Sequence, residues 1–181
     1  MVLSILGTIS NLILLVIEKT GYFGVAVLMA LESAGVPIPS EIVMPFSGYL
    51  ASLGLFSIWL ATFWATVGNI FGSLVLYYIG CYGGRKLIIK YGRYFLLSEK
   101  EMDVADNWFK KYGSFAIFFG RMTPIVRTYI SLPAGIARMN LSKFLIYTFF
   151  GSVPWNFALT YVGFALGKNW EILQGYFHKF D

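Results

Sequence analysis

Residues 42–84 contain no Asp, Glu, Lys or Arg, and a run of that length has few places to go. A helix needs roughly 20 apolar residues to cross the hydrocarbon of a bilayer, so this run supplies a full crossing. Residues 144–167 are likewise free of charge. Composition points the same way. The 181 residues are 57% hydrophobic and 13% charged, where a soluble domain carries about 25% charged residues, and the mean hydropathy is +0.68. An all-α polytopic membrane protein is expected, because only a helix or a closed barrel satisfies its backbone in lipid. One cysteine, Cys81, excludes an internal disulfide and a thiolate cluster, and one histidine, His178, leaves no ordinary zinc site. No metal and no cofactor are therefore expected. The net charge of +5 reads as membrane orientation, not as nucleic-acid binding. Residues 2–17 are apolar without a basic flank or a small-residue cleavage site, so a retained helix is expected there and not a signal peptide.

Within this oil, "LESAGVPIPSEIVMP" (31–45) places Glu32, Glu41 and three prolines. The uncharged arms 20–31 and 42–53 would each form a helix about 18 Å long at 1.5 Å per residue, too short to cross. Between them Pro37 and Pro39 remove backbone donors and push the preceding residues out of helical geometry. Two half-length helices around a broken tip make a re-entrant hairpin that enters and leaves on one side. A single kinked span is the alternative. "FGRMTPIVRTYISLPAGIARM" (119–139) repeats the design, with Arg121 and Arg127 around the breaker Pro124 and short arms at 115–120 and 128–137.

The segments after the two hairpins also match. "VGNIFGSLVLYYIGCYGGRK" aligns without gaps to "FGSVPWNFALTYVGFALGKN", setting Gly68 on Gly151, Tyr78 on Tyr161, Gly80 on Gly163, Gly84 on Gly167 and Arg85 on Lys168. Upstream, "GYFGVAVLMALE" echoes "KYGSFAIFFGR", which sets Glu32 against Arg121. A hairpin returns to its own side and the single span after it (56–78) flips the chain once, so the two repeats are inverted. Transporters with broken helices meeting near the midplane are built in this way. One membrane domain, 1–181, then divides into an N-terminal helix (1–19), a first repeat (20–85), an amphipathic connector (86–111), a second repeat (112–168) and a tail (169–181).

Residues 81–111 hold seven of the fourteen Lys and Arg, which places that connector in the cytoplasm. Ser98 and Glu101 form a capping-box pattern. Met102, Ala105, Trp108, Phe109 and Tyr112 then recur at helical spacing, the mark of a helix lying on the membrane surface. The first hairpin dips in from outside, the second from the cytoplasm, and their tips converge.

On this arrangement Glu32 and Glu41 meet Arg121 and Arg127. Each ionised group at bilayer depth costs at least about 2.5–3.5 kcal/mol on insertion scales and is a functional candidate by default. Arginine presents a permanently charged fork suited to phosphate, and a buried carboxylate can exchange a proton. The plainer reading is an ion-pair lock between two hairpins. Gly68/Gly72, Gly80/Gly84 and Gly163/Gly167 are small-xxx-small steps for close helix packing, whether inside one chain or across a homodimer.

The acid before "VPIPSE", the later "GRMTPIVRTYISLPAGIARM" and the glycine-rich span with Trp155 resemble the bacterial DedA family, related to eukaryotic VTT-domain lipid scramblases. The resemblance covers residues 20–168. It implies an inner-membrane protein with two opposed re-entrant hairpins that moves lipids between leaflets. Some members are similar to undecaprenyl-phosphate translocases; others look like phosphatidylethanolamine flippases or are tied to the proton motive force. The family's functional acids and arginines fall on Glu32, Glu41, Arg121 and Arg127. Many members carry a further acid just after the first tip, where this chain has none between Ile42 and Gly84. The expected partners are membrane lipids and protons. A lipid-pyrophosphate phosphatase using Ser40, Thr123, Thr128 or Ser131 with a carboxylate base, and a purely structural membrane protein, are the competing readings.

Overall fold

A computed structural model describes the backbone of residues 2–91, 107, 109, 111–124 and 126–167, with side chains described for 11–83, 107, 109, 111–124 and 126–167. Every regular element among the described residues is helical. They are α1 (Val2–Thr20), α2 (Tyr22–Ser33), α3 (Ser40–Ser52), α4 (Ile58–Tyr91), α5 (Phe115–Arg121), α6 (Val126–Tyr129), α7 (Ser131–Ile136) and α8 (Leu141–Leu166).

The breaks fall where the backbone chemistry puts them. Gly21 at φ +62° parts α1 from α2, a conformation that glycine adopts without a Cβ penalty. Gly35, at φ +98°, turns the chain out of α2, and Pro37 and Pro39 keep it extended until Ser40 starts α3. The second broken segment is shorter: α5 stops at Arg121, Pro124 comes next, and single-turn α6 leads into α7. Helix α4 begins two residues later than the expected span and runs on to Tyr91, so the first residues assigned to the connector continue that helix. The capping box at Ser98 and Glu101 and most of the amphipathic pattern lie outside the described residues.

Helix α4 is apolar outside and polar inside. Trp59, Phe63, Phe71, Val75 and Tyr78 are exposed, whereas Thr62, Thr66, Asn69 and Ser73 are buried. Helix α8 does the same, with Ile146, Phe150, Tyr161 and Val162 outside and Thr148, Ser152, Asn156 and Thr160 inside. Water would reverse that arrangement, and lipid favours it. Among the described residues, Ile58–Gly83 is the segment long and apolar enough to cross a membrane by length and composition.

Two apolar clusters hold the helices. One gathers Ile13, Ile17, Val25, Met29, Val43, Met44 and Leu50, and the other Tyr77, Ile117, Ile130, Ala134 and Phe144. Glycines set the closest approaches. A Cβ on Gly68 would strike the Ala26 carbonyl, and one on Gly80 the carbonyl of Leu132. On α8, Gly163 lies against the carbonyl of Pro45, and Gly151 against Arg121 Cβ and the Phe118 carbonyl. The second arm of each broken segment thus packs on the long helix of the other half of the chain. Gly167 ends α8 at φ +34° beside Ser52, and Gly84 lies outside the described side chains.

Candidate functional site

Glu32 occupies the last turn of α2, one residue before the chain breaks, and is 6% exposed. Opposite it, the turn at Thr123–Pro124 separates the two arginines. Arg121 closes α5 and Arg127 sits in α6, and they are only 2% and 4% exposed. Both broken segments therefore deliver ionised side chains to one buried place, from residues far apart in sequence.

The four charges named from the sequence divide unequally. Arg127 Nη2 donates to Glu32 Oε1 in a buried ion pair and also to the hydroxyl of Ser40, at the start of α3. Its guanidinium lies over the Trp155 ring, 5.2 Å from the centroid, a cation–π contact worth about 0.5–2 kcal/mol. Arg121 bonds hydroxyls instead. Its Nη2 donates to Ser73 Oγ on α4 and, at 2.6 Å, to Ser131 Oγ on α7, and Ser73 in turn donates to the Asn69 carbonyl. Among the described residues no carboxylate bonds Arg121. Glu41 does not enter the cluster. It is exposed in the first turn of α3, where a carboxylate complements the helix dipole. The buried centre thus holds two cations and one anion, a surplus of one positive charge.

A buried ion with no opposite charge is costly, and the Nε atoms of both arginines lack a partner. So do Ser33 Oγ, Thr62 Oγ1, Asn69 Oδ1, Thr148 Oγ1, Ser152 Oγ and Asn156 Oδ1. The arrangement is built to receive polar atoms, and an anion with several acceptor oxygens fits the arginine forks best.

Sequence reasoning missed Ser73 and the Asn156–Thr66 hydrogen bond of 3.1 Å. A signal was present: Thr62, Thr66, Asn69 and Ser73 recur at helical spacing inside an apolar run, a polar stripe in place of the usual apolar one. Pro37, Pro39 and Pro124 stand in the two breaks, and each is at least partly exposed. No group of three or more His, Cys, Asp or Glu that could hold a metal occurs among the described residues.

Comparison with known proteins adds an independent line. The VTT domain matches residues 38–165. The chain is 38% identical over 169 residues to undecaprenyl phosphate transporter A of Bacillus subtilis, covering 93% of this chain and 83% of that one. It is 32% identical over 169 residues to undecaprenyl phosphate transporter A of Staphylococcus aureus, covering 91% and 83%. An alkaline phosphatase-like protein of Lactococcus lactis is 39% identical over 173 residues, covering 91% and 79%. No solved structure matches.

Proposed function

The chain belongs to the VTT-domain (DedA) family, and from that premise we propose that it transports a phosphate-bearing lipid, undecaprenyl phosphate foremost, between the leaflets of the bacterial cytoplasmic membrane. The observation that carries this reading is Arg121. Its guanidinium is buried, permanently charged and held by two neutral hydroxyls, so the site lacks one negative charge when empty. A lipid phosphate supplies it. The relatives named as undecaprenyl phosphate transporters support that lipid over others.

The two broken segments are re-entrant hairpins in inverted repeats. Support comes from paired contacts: α2 and α5 each lie on the long helix that comes after them, and α3 and α7 each lie on the long helix of the other half, through Gly163 on Pro45 and Gly80 on Leu132. Transport draws on the proton motive force through Glu32. Its protonation weakens the hold on Arg127 and releases a second guanidinium to the arriving phosphate. Deprotonation restores the pair and expels the lipid on the cytoplasmic side.

Phosphatidylethanolamine is the alternative cargo, and passive scrambling the alternative mode. A phosphatase reading rests on the alkaline phosphatase-like name of two relatives from Lactococcus lactis and on Ser40 in the first turn of α3, whose hydroxyl accepts from Arg127.

The test is leaflet transfer in proteoliposomes with three labelled lipids: a polyprenyl phosphate, the matching polyprenol and phosphatidylethanolamine. Transfer of the polyprenyl phosphate alone, with no free phosphate released, is expected. Equal transfer of the polyprenol overturns phosphate recognition, and phosphate release overturns transport in favour of hydrolysis.

A further inference from the structure

The buried polar faces of α4 and α8 do more than hold two helices together. On α4, Thr62, Thr66, Asn69 and Ser73 form one narrow face; on α8, Thr148, Ser152, Asn156 and Thr160 form another. The rows run in opposite chain directions. Thr66 meets Asn156, Ser73 and Gly151 flank the same Arg121, and Tyr77, one turn beyond Ser73, stacks on Phe144, one turn before Thr148. Each row extends about 16–18 Å along its helix at 1.5 Å per residue. Arg127, over Trp155, and Arg121, beside Gly151, lie at successive levels along it.

Five of these eight side chains have a polar atom without a partner: Thr62, Asn69, Thr148, Ser152 and Asn156, all at most 4% exposed. Hydroxyls in a membrane helix can bond their own backbone, and Thr66 and Thr160 do so. The hydroxyls of Thr62, Thr148 and Ser152 and the amide oxygens of Asn69 and Asn156 make no such bond, and water is the usual partner of buried groups of this kind.

The helices around the rows form two blocks. Glycine contacts join α2 and α7 to α4, through Gly68 and Gly72 on Ala26 and Ala30, Gly80 on Leu132 and Gly135 on Tyr77. Others join α3 and α5 to α8, through Gly48 on Thr160, Gly163 on Pro45 and Gly151 on Phe118. Backbone-to-backbone contact leaves these blocks little room to shear internally. The polar rows face each other between the blocks, which the two apolar clusters also join.

We infer that the seam between α4 and α8 is a water-filled track along which the phosphate headgroup passes both arginines, closed at one end by the stacked rings of Tyr77 and Phe144. The inference rests on the transport reading for the headgroup, but not for the water.

Cysteine substitution separates the two. In a Cys81→Ser background, Ser152→Cys and Thr148→Cys are near-isosteric changes within the seam, and Ala65→Cys is a buried control in the apolar cluster. Each is reconstituted and exposed to a small anionic methanethiosulfonate, with transfer of labelled polyprenyl phosphate measured alongside. The expected result is modification at Ser152→Cys and Thr148→Cys at least tenfold faster than at Ala65→Cys, slowed by added polyprenyl phosphate but not by polyprenol. If both seam positions react no faster than the control while lipid is transferred, the seam is dry and the track is wrong. Fast modification without phosphate-specific slowing overturns headgroup passage and leaves a water path alone. Fast modification in a protein that transfers no lipid overturns the transport reading and the headgroup track with it, and upholds the water.

Discussion

Replacing Arg127 and Glu32 together with glutamine should destabilise the protein far less than the sum of the two single replacements. Glu32 is buried and its Oε1 accepts from Arg127, so Arg127→Gln strands a carboxylate away from water. Breaking a buried pair on one side costs about 3–5 kcal/mol, within which the lost contact with Trp155 accounts for about 0.5–2 kcal/mol. For a chain of this size, about 2–4 °C of melting temperature per kcal/mol gives a fall of roughly 6–20 °C. Glu32→Gln leaves the opposite ion unpaired beside Ser40 and should cost a similar amount. The double variant places two neutral amides where each can donate to the other, so a favourable coupling of about 2–3 kcal/mol is expected, at the upper end of measured cycles. Thermal unfolding in lipid nanodiscs, followed by tryptophan fluorescence, reads all four corners, and Trp155 reports on Arg127 directly. As a control, Glu41→Gln, at an exposed site, should stay within about 0.5 kcal/mol. Additivity of the two single changes to within about 0.5 kcal/mol refutes the buried pair as a unit.

Other expectations rest on the same geometry. Gly163→Ala drives a Cβ into the Pro45 carbonyl, which cannot rotate away, and should cost at least the 1–3 kcal/mol typical of overpacking; an unchanged melting temperature sinks the close contact. Single cysteines at Thr20 and Leu53, both exposed, should label from the same face of the membrane in a Cys81→Ser background, and labelling from opposite faces makes 20–53 a span. Glu32→Gln should still bind polyprenyl phosphate yet transfer it without response to an imposed pH gradient. A Glu32→Gln variant as gradient-sensitive as the parent refutes coupling through that carboxylate, and an unresponsive parent makes the protein a passive scramblase.

The helix breaks were legible because proline and glycine act locally: Pro37 and Pro39 keep the chain out of helix between α2 and α3. The convergence of Glu32 with the arginines of the second broken segment was also legible, since unpaired charge in oil has few solutions. Which arginine takes the carboxylate was not. The sequence offers both arginines to Glu32, and the bond goes to Arg127, which α6 carries across to α2. Nor could the sequence say that Ser40 points in and Glu41 out. Neighbours on a helix differ by about 100°, and the rotation of α3 is set by long-range contact between Gly48 and the Thr160 carbonyl. The polar rows of α4 and α8 were visible as spacing, yet their meeting at Thr66 and Asn156 depends on how two helices 90 residues apart are docked.

The central claim is that the unbalanced charge on Arg121 receives a lipid phosphate, and it is tested most directly by leaflet transfer of labelled polyprenyl phosphate in proteoliposomes made with the parent, Arg121→Lys and Arg121→Gln. Lysine keeps the charge and loses the fork, so transfer by Arg121→Lys should fall roughly tenfold, the equivalent of about 1.4 kcal/mol. Arg121→Gln, which removes the charge while leaving hydrogen bonds to Ser73 and Ser131 possible, should abolish transfer without unfolding the protein. Transfer at the parental rate by a folded Arg121→Gln protein contradicts the account.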